Sequence, residues 1–143
     1  EIKIKITCNI NHIIIIDFIM QHHGTSLVYY FYRRALESTE SQDGVKEEVF
    51  RYPGPKPQTK ETAIVLLADS VEAACRALEE PTGERISDLI RRIINNKFID
   101  GQLDSCDLTL RDLEKIATTF IHILGAFYHS RIDYPDQNSS ESS

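Results

Sequence analysis

Apolar residues recur at helical spacing through most of this chain, and that pattern limits the possible folds more than any other feature. The segment after Pro81 shows it most fully, because its apolar residues occupy one face of a helix: Ile86, Leu89, Ile90, Ile93 and Ile94. At 143 residues the chain has the length of one domain with a core of its own. The sequence therefore predicts an all-α fold with about five helices.

The predicted helices differ in the apolar faces that they offer to a core. The helix over about 60–79 is predicted to bury Ala63, Leu66, Leu67, Ser70, Val71 and Ala74. The last helix, over about 109–132, has an apolar seam formed by Leu110, Leu113, Ala117, Phe120, Leu124 and Phe127. Two earlier helices are predicted over about 11–23 and 25–37. The second of these has a stripe formed by Leu27, Tyr30, Phe31 and Ala35.

Residues with special backbone preferences mark the ends of these helices. Gly24 is suited to end the first helix, whereas Thr59 and Thr82 can cap the starts of later ones. Thr109 and Asp112 have the spacing of a capping box at the start of the last helix.

The segments between the helices have their own signatures. Prolines at 53, 55 and 57 predict a stiff, extended segment, and the polar residues 38–49 predict a long surface loop. Residues 1–8 alternate apolar and charged side chains, which favours a short strand.

The composition, with 41% hydrophobic and 27% charged residues, is that of an ordinary soluble globular protein. The net charge of −6 gives no electrostatic attraction for DNA or RNA, so we expect neither as a partner. Cys8, Cys75 and Cys106 have the spacing of neither a disulfide framework nor a zinc ribbon, which favours a reducing cytosol. The apolar run 13–16 is far shorter than a membrane span, and no signal peptide is evident.

The adjacent histidines His22 and His23 are the first candidate functional residues. Side chains of neighbouring helical residues diverge by about 100°, so the two rings could serve two different metals, or one metal and a substrate phosphate. The partial negative charge of a helix C-terminus favours a cation there. A structural role, with one ring packed and the other solvated, also explains the pair.

Asp69 is the second candidate, because it interrupts the otherwise apolar stretch "LLADSVEAA". A short carboxylate is a poor helix former, so local propensity gives no reason for its position. Asp69 shares a helix face with Glu72, Ala73 and Arg76, and a solvated face with an internal ion pair is the other interpretation.

The third candidate is the basic proline segment, which holds Arg51, Lys56 and Lys60 and no acidic residue. It leads into a helix N-terminus, whose free N–H groups suit a phosphate. Stiffening by proline would lower the ordering cost of binding a ligand. Solvated lysines are the alternative.

Three segments together resemble one known family. "HHGTSLVYYFY", "FRYPGPKPQTKETAIVLLADSVEAACRAL" and "DGQLDSCDLTLRDLEKI…FYHSRIDYP" are similar to the C-terminal part of the cytosolic HD domain of seven-transmembrane HD proteins, the PgpH-type cyclic-di-AMP phosphodiesterases of bacteria. The resemblance covers residues 11–135 and implies an HD-domain-like helical bundle. Residues 1–10 match poorly, and 136–143 are expected to be a disordered tail.

The resemblance implies a binuclear metallohydrolase that uses iron or manganese to open cyclic-di-AMP to a linear dinucleotide. It implies that His22, His23 and Asp69 are metal ligands and that the parent protein is anchored in the membrane with this domain on its cytoplasmic side. Arg51, Lys56, Lys60 and Arg76 are then expected to bind the substrate. Helix spacing leads us to expect that Glu72 orients the metal ligands without binding the metal itself.

The sequence departs from the family at the metal centre. The family also uses an upstream histidine, the His-Asp dipeptide and a further histidine, and no His-Asp dipeptide occurs in this chain. The chain begins with glutamate, and we expect it to be a truncated domain that lacks the N-terminal helices and is inactive alone. A catalytically inactive helical domain that binds a nucleotide or a protein is the alternative. His122 and His129 are expected to have core or surface roles.

Overall fold

A computed structural model of the chain describes residues 10–38 and 44–129. Within these ranges the chain forms five α-helices: α1 (Ile10–Gln21), α2 (Tyr29–Ser38), α3 (Lys60–Arg76), α4 (Gly83–Ile99) and α5 (Leu110–His129). A 3₁₀ turn, Glu47–Phe50, precedes the extended proline segment. The predicted all-α fold is confirmed, whereas the strand predicted at 1–8 and the tail at 136–143 lie outside the described residues.

Helices α3, α4 and α5 form the core, with α4 in contact with both of the others. The buried apolar residues of this core are Ala63, Leu66, Leu67, Val71, Cys75, Ile86, Leu89, Ile90, Ile94, Leu103, Leu113, Ala117 and Tyr128. The faces predicted for α3 and α4 are confirmed, except that Ser70, Ala74 and Ile93 are only partly buried. Helical periodicity was therefore sufficient to identify both faces.

The predicted seam of α5 is correct only in its middle. Leu113 and Ala117 are buried, but Leu110 is 71% exposed and Phe127 is 50% exposed. Leu110 is the first residue of the helix, and at the other end Tyr128 rather than Phe127 turns into the core. The seam was extended by one position too many at each end.

Side-chain caps fix the starts of the three core helices as predicted. The Thr59 hydroxyl accepts from the Thr62 backbone at 3.2 Å, and Thr82 accepts from the Arg85 backbone at 3.3 Å. At α5 the capping box is complete, because the Thr109 hydroxyl accepts from the Asp112 backbone and the Asp112 carboxylate accepts from the Thr109 backbone, each at 3.1 Å. These bonds satisfy N–H groups that a helix start leaves free.

The second predicted helix begins later than expected. Residues 25–28 pair with the segment after the 3₁₀ turn, where Val28 donates to the Phe50 carbonyl at 2.8 Å and Tyr52 donates to the Ser26 carbonyl at 3.0 Å. Because this pairing uses backbone groups that a helix would need, α2 begins at Tyr29. The predicted apolar stripe does not form a buried face, since Tyr30 and Phe31 are more than half exposed.

Helix α1 presents apolar side chains to solvent around much of its circumference. We call these residues the α1 apolar surface: Ile13, Ile14, Ile15, Ile19 and Met20, each at least half exposed. Among the described helices, α1 included, none is long and apolar enough to cross a membrane. So large an apolar surface is typical of an interface.

We predict that Leu66→Ala lowers the free energy of unfolding by about 2–5 kcal/mol, because it leaves a cavity in the core at a fully buried position. Leu110→Ala, the same change at an exposed position, should stay within about 0.5 kcal/mol of the parent. Urea denaturation of both variants tests this, and equal losses would mean that the core is placed wrongly.

A second prediction concerns the loss of stability at low pH. Hydrogen bonding to the Thr109 backbone, with help from Lys60, lowers the pKa of Asp112 from 3.8 to about 2. Because the pKa is lower in the folded state, its contribution to stability is complete above the ordinary value and is lost as the pH falls through the folded value. Asp112→Asn should therefore destabilise the protein at pH 7, and the difference from the parent should shrink toward pH 2.

The matched control is Asp88→Asn, which removes the same charge from an exposed position on α4. Denaturation at several pH values would measure both variants. A deficit of Asp112→Asn that stays constant from pH 7 to pH 2 would contradict the assignment.

Candidate metal centre

The histidine pair lies in the tight turn that follows α1. Gly24 adopts φ +57° and donates to the Gln21 carbonyl at 3.0 Å, and Ser26 donates to the His23 carbonyl at 3.2 Å. Because His22 and His23 are in a turn and not in a helix, their ring centroids lie 3.9 Å apart. The two rings therefore do not diverge as the side chains of adjacent helical residues would, and a metal-binding role for either ring stays a prediction.

The backbone fixes the orientation of His22. Its Nδ1 lies 3.0 Å from the Phe18 carbonyl oxygen and 2.9 Å from that of Ile19. Carbonyls only accept, so these contacts place the ring proton on Nδ1 and leave the lone pair of a neutral ring on Nε2. A backbone contact of this kind commonly holds a metal-binding histidine.

His23 joins the turn to α3. Its Nδ1 lies 3.6 Å from Oδ2 of Asp69, and its ring stacks on Tyr52 at a centroid distance of 4.3 Å. Burial and the neighbouring His22 lower the pKa of His23, and Lys97 adds to this, whereas Asp69 opposes it. The ring is therefore favoured in the neutral form that can bind a metal.

These three side chains suit a divalent metal in type and spacing. Imidazole nitrogen and carboxylate oxygen are ligands of first-row transition metals. One ion about 2.1 Å from each ligand can join atoms up to about 4.2 Å apart, and the pair formed by His23 and Asp69 is within that limit. In the described part of the chain no group of three or more His, Cys, Asp or Glu side chains is arranged to hold a metal alone. A metal-binding role for His22, His23 and Asp69 stays a prediction.

A buried polar network holds the histidine turn in place. Gln102 is fully buried, and its Oε1 accepts from the Thr25 backbone at 2.8 Å. Its amide nitrogen donates to Asp100 at 2.8 Å, and Asp100 forms an ion pair with Arg51 at 2.7 Å. Arg51 also donates to the Thr25 carbonyl at 2.9 Å. Both backbone groups of Thr25 are therefore fixed by side chains distant in sequence.

The cations predicted to bind substrate all have carboxylate partners. Arg51 pairs with Glu47 and Asp100, which raise its pKa. Lys56 lies 3.5 Å from Asp104, Lys60 lies 3.0 Å from Asp112, and Arg76 pairs with Glu72 on the exposed face of α3. A substrate role for these residues, and a supporting role for Glu72, stay predictions.

Sequence reasoning missed Gln102 and Lys97. Lys97 donates from Nζ to the Ser26 hydroxyl at 2.6 Å and is partly buried beside the histidine turn. A signal was present, since Lys97 continues the helical spacing of Ile90, Ile93 and Ile94 where an apolar residue is expected. Gln102 follows a turn glycine, Gly101 at φ +68°, and has no comparable periodic signal.

The chain is similar in sequence to known phosphodiesterases. It is 52% identical over 122 residues to cyclic-di-AMP phosphodiesterase PgpH of Bacillus subtilis and 50% identical over 122 residues to PgpH of Listeria monocytogenes. Each match covers 85% of this chain but 17% of the relative, so the chain spans a small part of those proteins. No protein-family model matches the chain.

Solved structures confirm the resemblance to the HD domain. The crystal structure of the L. monocytogenes PgpH HD domain matches with a TM-score of 0.73 at 47% identity, covering 83% of this chain and 55% of that one. The same domain in complex with cyclic-di-AMP matches with a TM-score of 0.77 at 48% identity, covering 87% and 58%. The fold described above is therefore that of part of this domain.

We predict that Gly24→Ala destabilises the protein by about 1–3 kcal/mol, because a Cβ at φ +57° is strained and would lie 2.5 Å from Oε1 of Gln102. Gly125→Ala is the matched control, since nothing lies within 4 Å of a Cβ built there on α5. That change should stabilise the protein by about 0.5–1 kcal/mol. Thermal denaturation measures both, and effects of the same sign would contradict this account of the turn.

Proposed function

We propose that this chain, whose sequence and fold match the HD domain of PgpH, forms the C-terminal part of a metal-dependent domain that hydrolyses cyclic-di-AMP. The observation that carries the proposal is the match, at 48% identity, to an HD domain in complex with cyclic-di-AMP. The short distances between the His22 and His23 rings and between His23 and Asp69 support it. The domain would lie on the cytoplasmic side of a membrane-anchored parent that acts in bacterial signalling.

In this proposal the three side chains hold part of a centre for two divalent ions, iron or manganese. Bound ions would supply Lewis acidity to a phosphodiester of the substrate. His22 would bind through Nε2, since its Nδ1 is engaged by the backbone, and His23 and Asp69 would bind from opposite sides of the gap between turn and α3. Tyr52 would keep the His23 ring oriented by stacking.

The remaining ligands would come from the part of the domain that this chain does not cover. The matched crystal structures extend well beyond it, and no His-Asp dipeptide occurs in the sequence. The α1 apolar surface supports this, because it leads directly to the histidine turn and offers a place for further helices to pack. A helix docked there would be well placed to bring additional ligands to the site.

A second function would follow if the parent protein also lacks the His-Asp dipeptide, which does not occur in this sequence. The chain could belong to a catalytically inactive helical domain that binds a nucleotide or a protein partner. Binding can outlast chemistry when metal ligands are lost, because the fold and the basic proline segment stay intact. Metal content together with hydrolysis separates the two functions.

The test joins the N-terminal portion of the L. monocytogenes PgpH HD domain, which this chain does not cover, to the start of α1. We expect the fused domain to bind manganese stoichiometrically and to hydrolyse cyclic-di-AMP. The double variant His22→Ala, His23→Ala should lose metal and at least about 100-fold in activity, since even supporting residues of metal sites are worth 10–100-fold. His122→Ala, an exposed histidine on α5, should keep both.

Elemental analysis and a chromatographic assay of the linear dinucleotide give the two results separately. A fused domain that binds manganese but does not open cyclic-di-AMP would contradict the proposed function. A fused domain without metal would favour the inactive binding domain.

A further inference from the structure

Lys97 occupies an unusual position for a lysine. It lies in the last turn of α4, it is partly buried, and its Nζ donates to the Ser26 hydroxyl at 2.6 Å. Ser26 is itself buried and donates from its backbone to the His23 carbonyl. The ammonium group is thus attached to the same tight turn that presents the histidine pair.

The charge of Lys97 affects the pKa of His23 in the candidate metal centre. Burial lowers the pKa of Lys97, whereas the charges of Asp100 and Asp69 raise it. In return, Lys97 contributes to the lowered pKa of His23. The geometric link is Ser26, which accepts from the Lys97 ammonium group at 2.6 Å and donates from its backbone to the His23 carbonyl at 3.2 Å.

Lys97 also differs from the other cations near the site in having no carboxylate partner. Within the described residues no carboxylate oxygen lies within 4.0 Å of its Nζ, although an ammonium group can donate three hydrogen bonds. Arg51, Lys56 and Lys60 are each neutralised by an acidic side chain. A partly buried cation without a counter-ion is costly unless an anion joins it.

We propose that Lys97 is a substrate-binding residue whose ammonium group holds a non-bridging phosphodiester oxygen beside His23 and Asp69. This inference rests on the proposed function, because it assigns the phosphate contact within that same site. It replaces the proline segment as the main source of positive charge for the substrate. The Ser26 hydroxyl positions the ammonium group, and the anion supplies the missing counter-charge.

The decisive experiment measures anion binding without hydrolysis. The 143-residue chain is titrated with cyclic-di-AMP and, separately, with inorganic phosphate in buffer containing EDTA, and binding is followed by NMR. We expect Lys97→Met to weaken both affinities at least 10-fold, which corresponds to about 1.4 kcal/mol. Lys97→Arg should keep most of the affinity, because it retains the charge.

Lys115→Met is the matched control, since it removes an exposed lysine from α5. It should leave both affinities unchanged, and melting temperatures identify any variant that fails to fold. Equal binding by the parent and Lys97→Met overturns the inference. So does a parent that binds neither ligand, or a loss that follows Lys56→Met and Lys60→Met and not Lys97→Met.

Hydrolysis by the fused domain distinguishes this inference from the proposed function. If the fused domain fails to hydrolyse cyclic-di-AMP while phosphate binding depends on Lys97, the proposed function fails and the anion site stands. If hydrolysis occurs and Lys97→Met leaves KM and kcat unchanged, the inference fails and the proposed function stands.

Discussion

The hydrogen bond between the buried Gln102 side chain and the Thr25 backbone is the interaction on which the candidate site depends. The turn that carries the histidines is held by polar side chains from other parts of the chain. Gln102 supplies one from the loop after α4, and Arg51 supplies another from the proline segment. Because Asp100 binds both Gln102 and Arg51, two segments distant in sequence are linked to each other and together fix one short turn. An unpaired amide buried there would cost about 1–3 kcal/mol, which explains why the network is complete.

The same network determines where positive charge is available. The charge of Arg51 is neutralised by Glu47 and Asp100. Arg51 also holds the turn in place by donating to the Thr25 carbonyl. The lysines of the proline segment are held by acids at the start of α5 and in the loop before it. Lys97 has no carboxylate oxygen within 4.0 Å among the described residues and is attached through Ser26 to the histidine turn, in a partly buried setting where an ion pair is stronger than at the surface. The positive charge of the proline segment is therefore paired with carboxylates, and a substrate role for its residues stays a prediction.

Local patterns predicted the parts of the fold that depend on local physics. Periodicity gave the buried faces of α3 and α4, and threonine positions gave the three caps, because each depends on residues within one or two turns. The predicted start of α2 was too early, because backbone pairing between residues 25–28 and 50–52 overrides helical spacing. Spacing predicts an apolar stripe that includes Tyr30 and Phe31, but it does not reveal what lies opposite, and both side chains are more than half exposed. At the site, the resemblance pointed to His22, His23 and Asp69, whereas Gln102 and Lys97 act across more than 70 residues and could not be read locally.

The most direct test of the metal centre is paramagnetic broadening of amide signals by substoichiometric manganese in the isotopically labelled chain. We expect selective broadening at residues 22–26 and around Asp69, although the two segments are distant in sequence. His22→Ala, His23→Ala should abolish it. Broadening that instead spreads over exposed acidic residues such as Glu79 and Glu80, or that survives the double substitution, would contradict the claim that the turn and α3 form one metal centre.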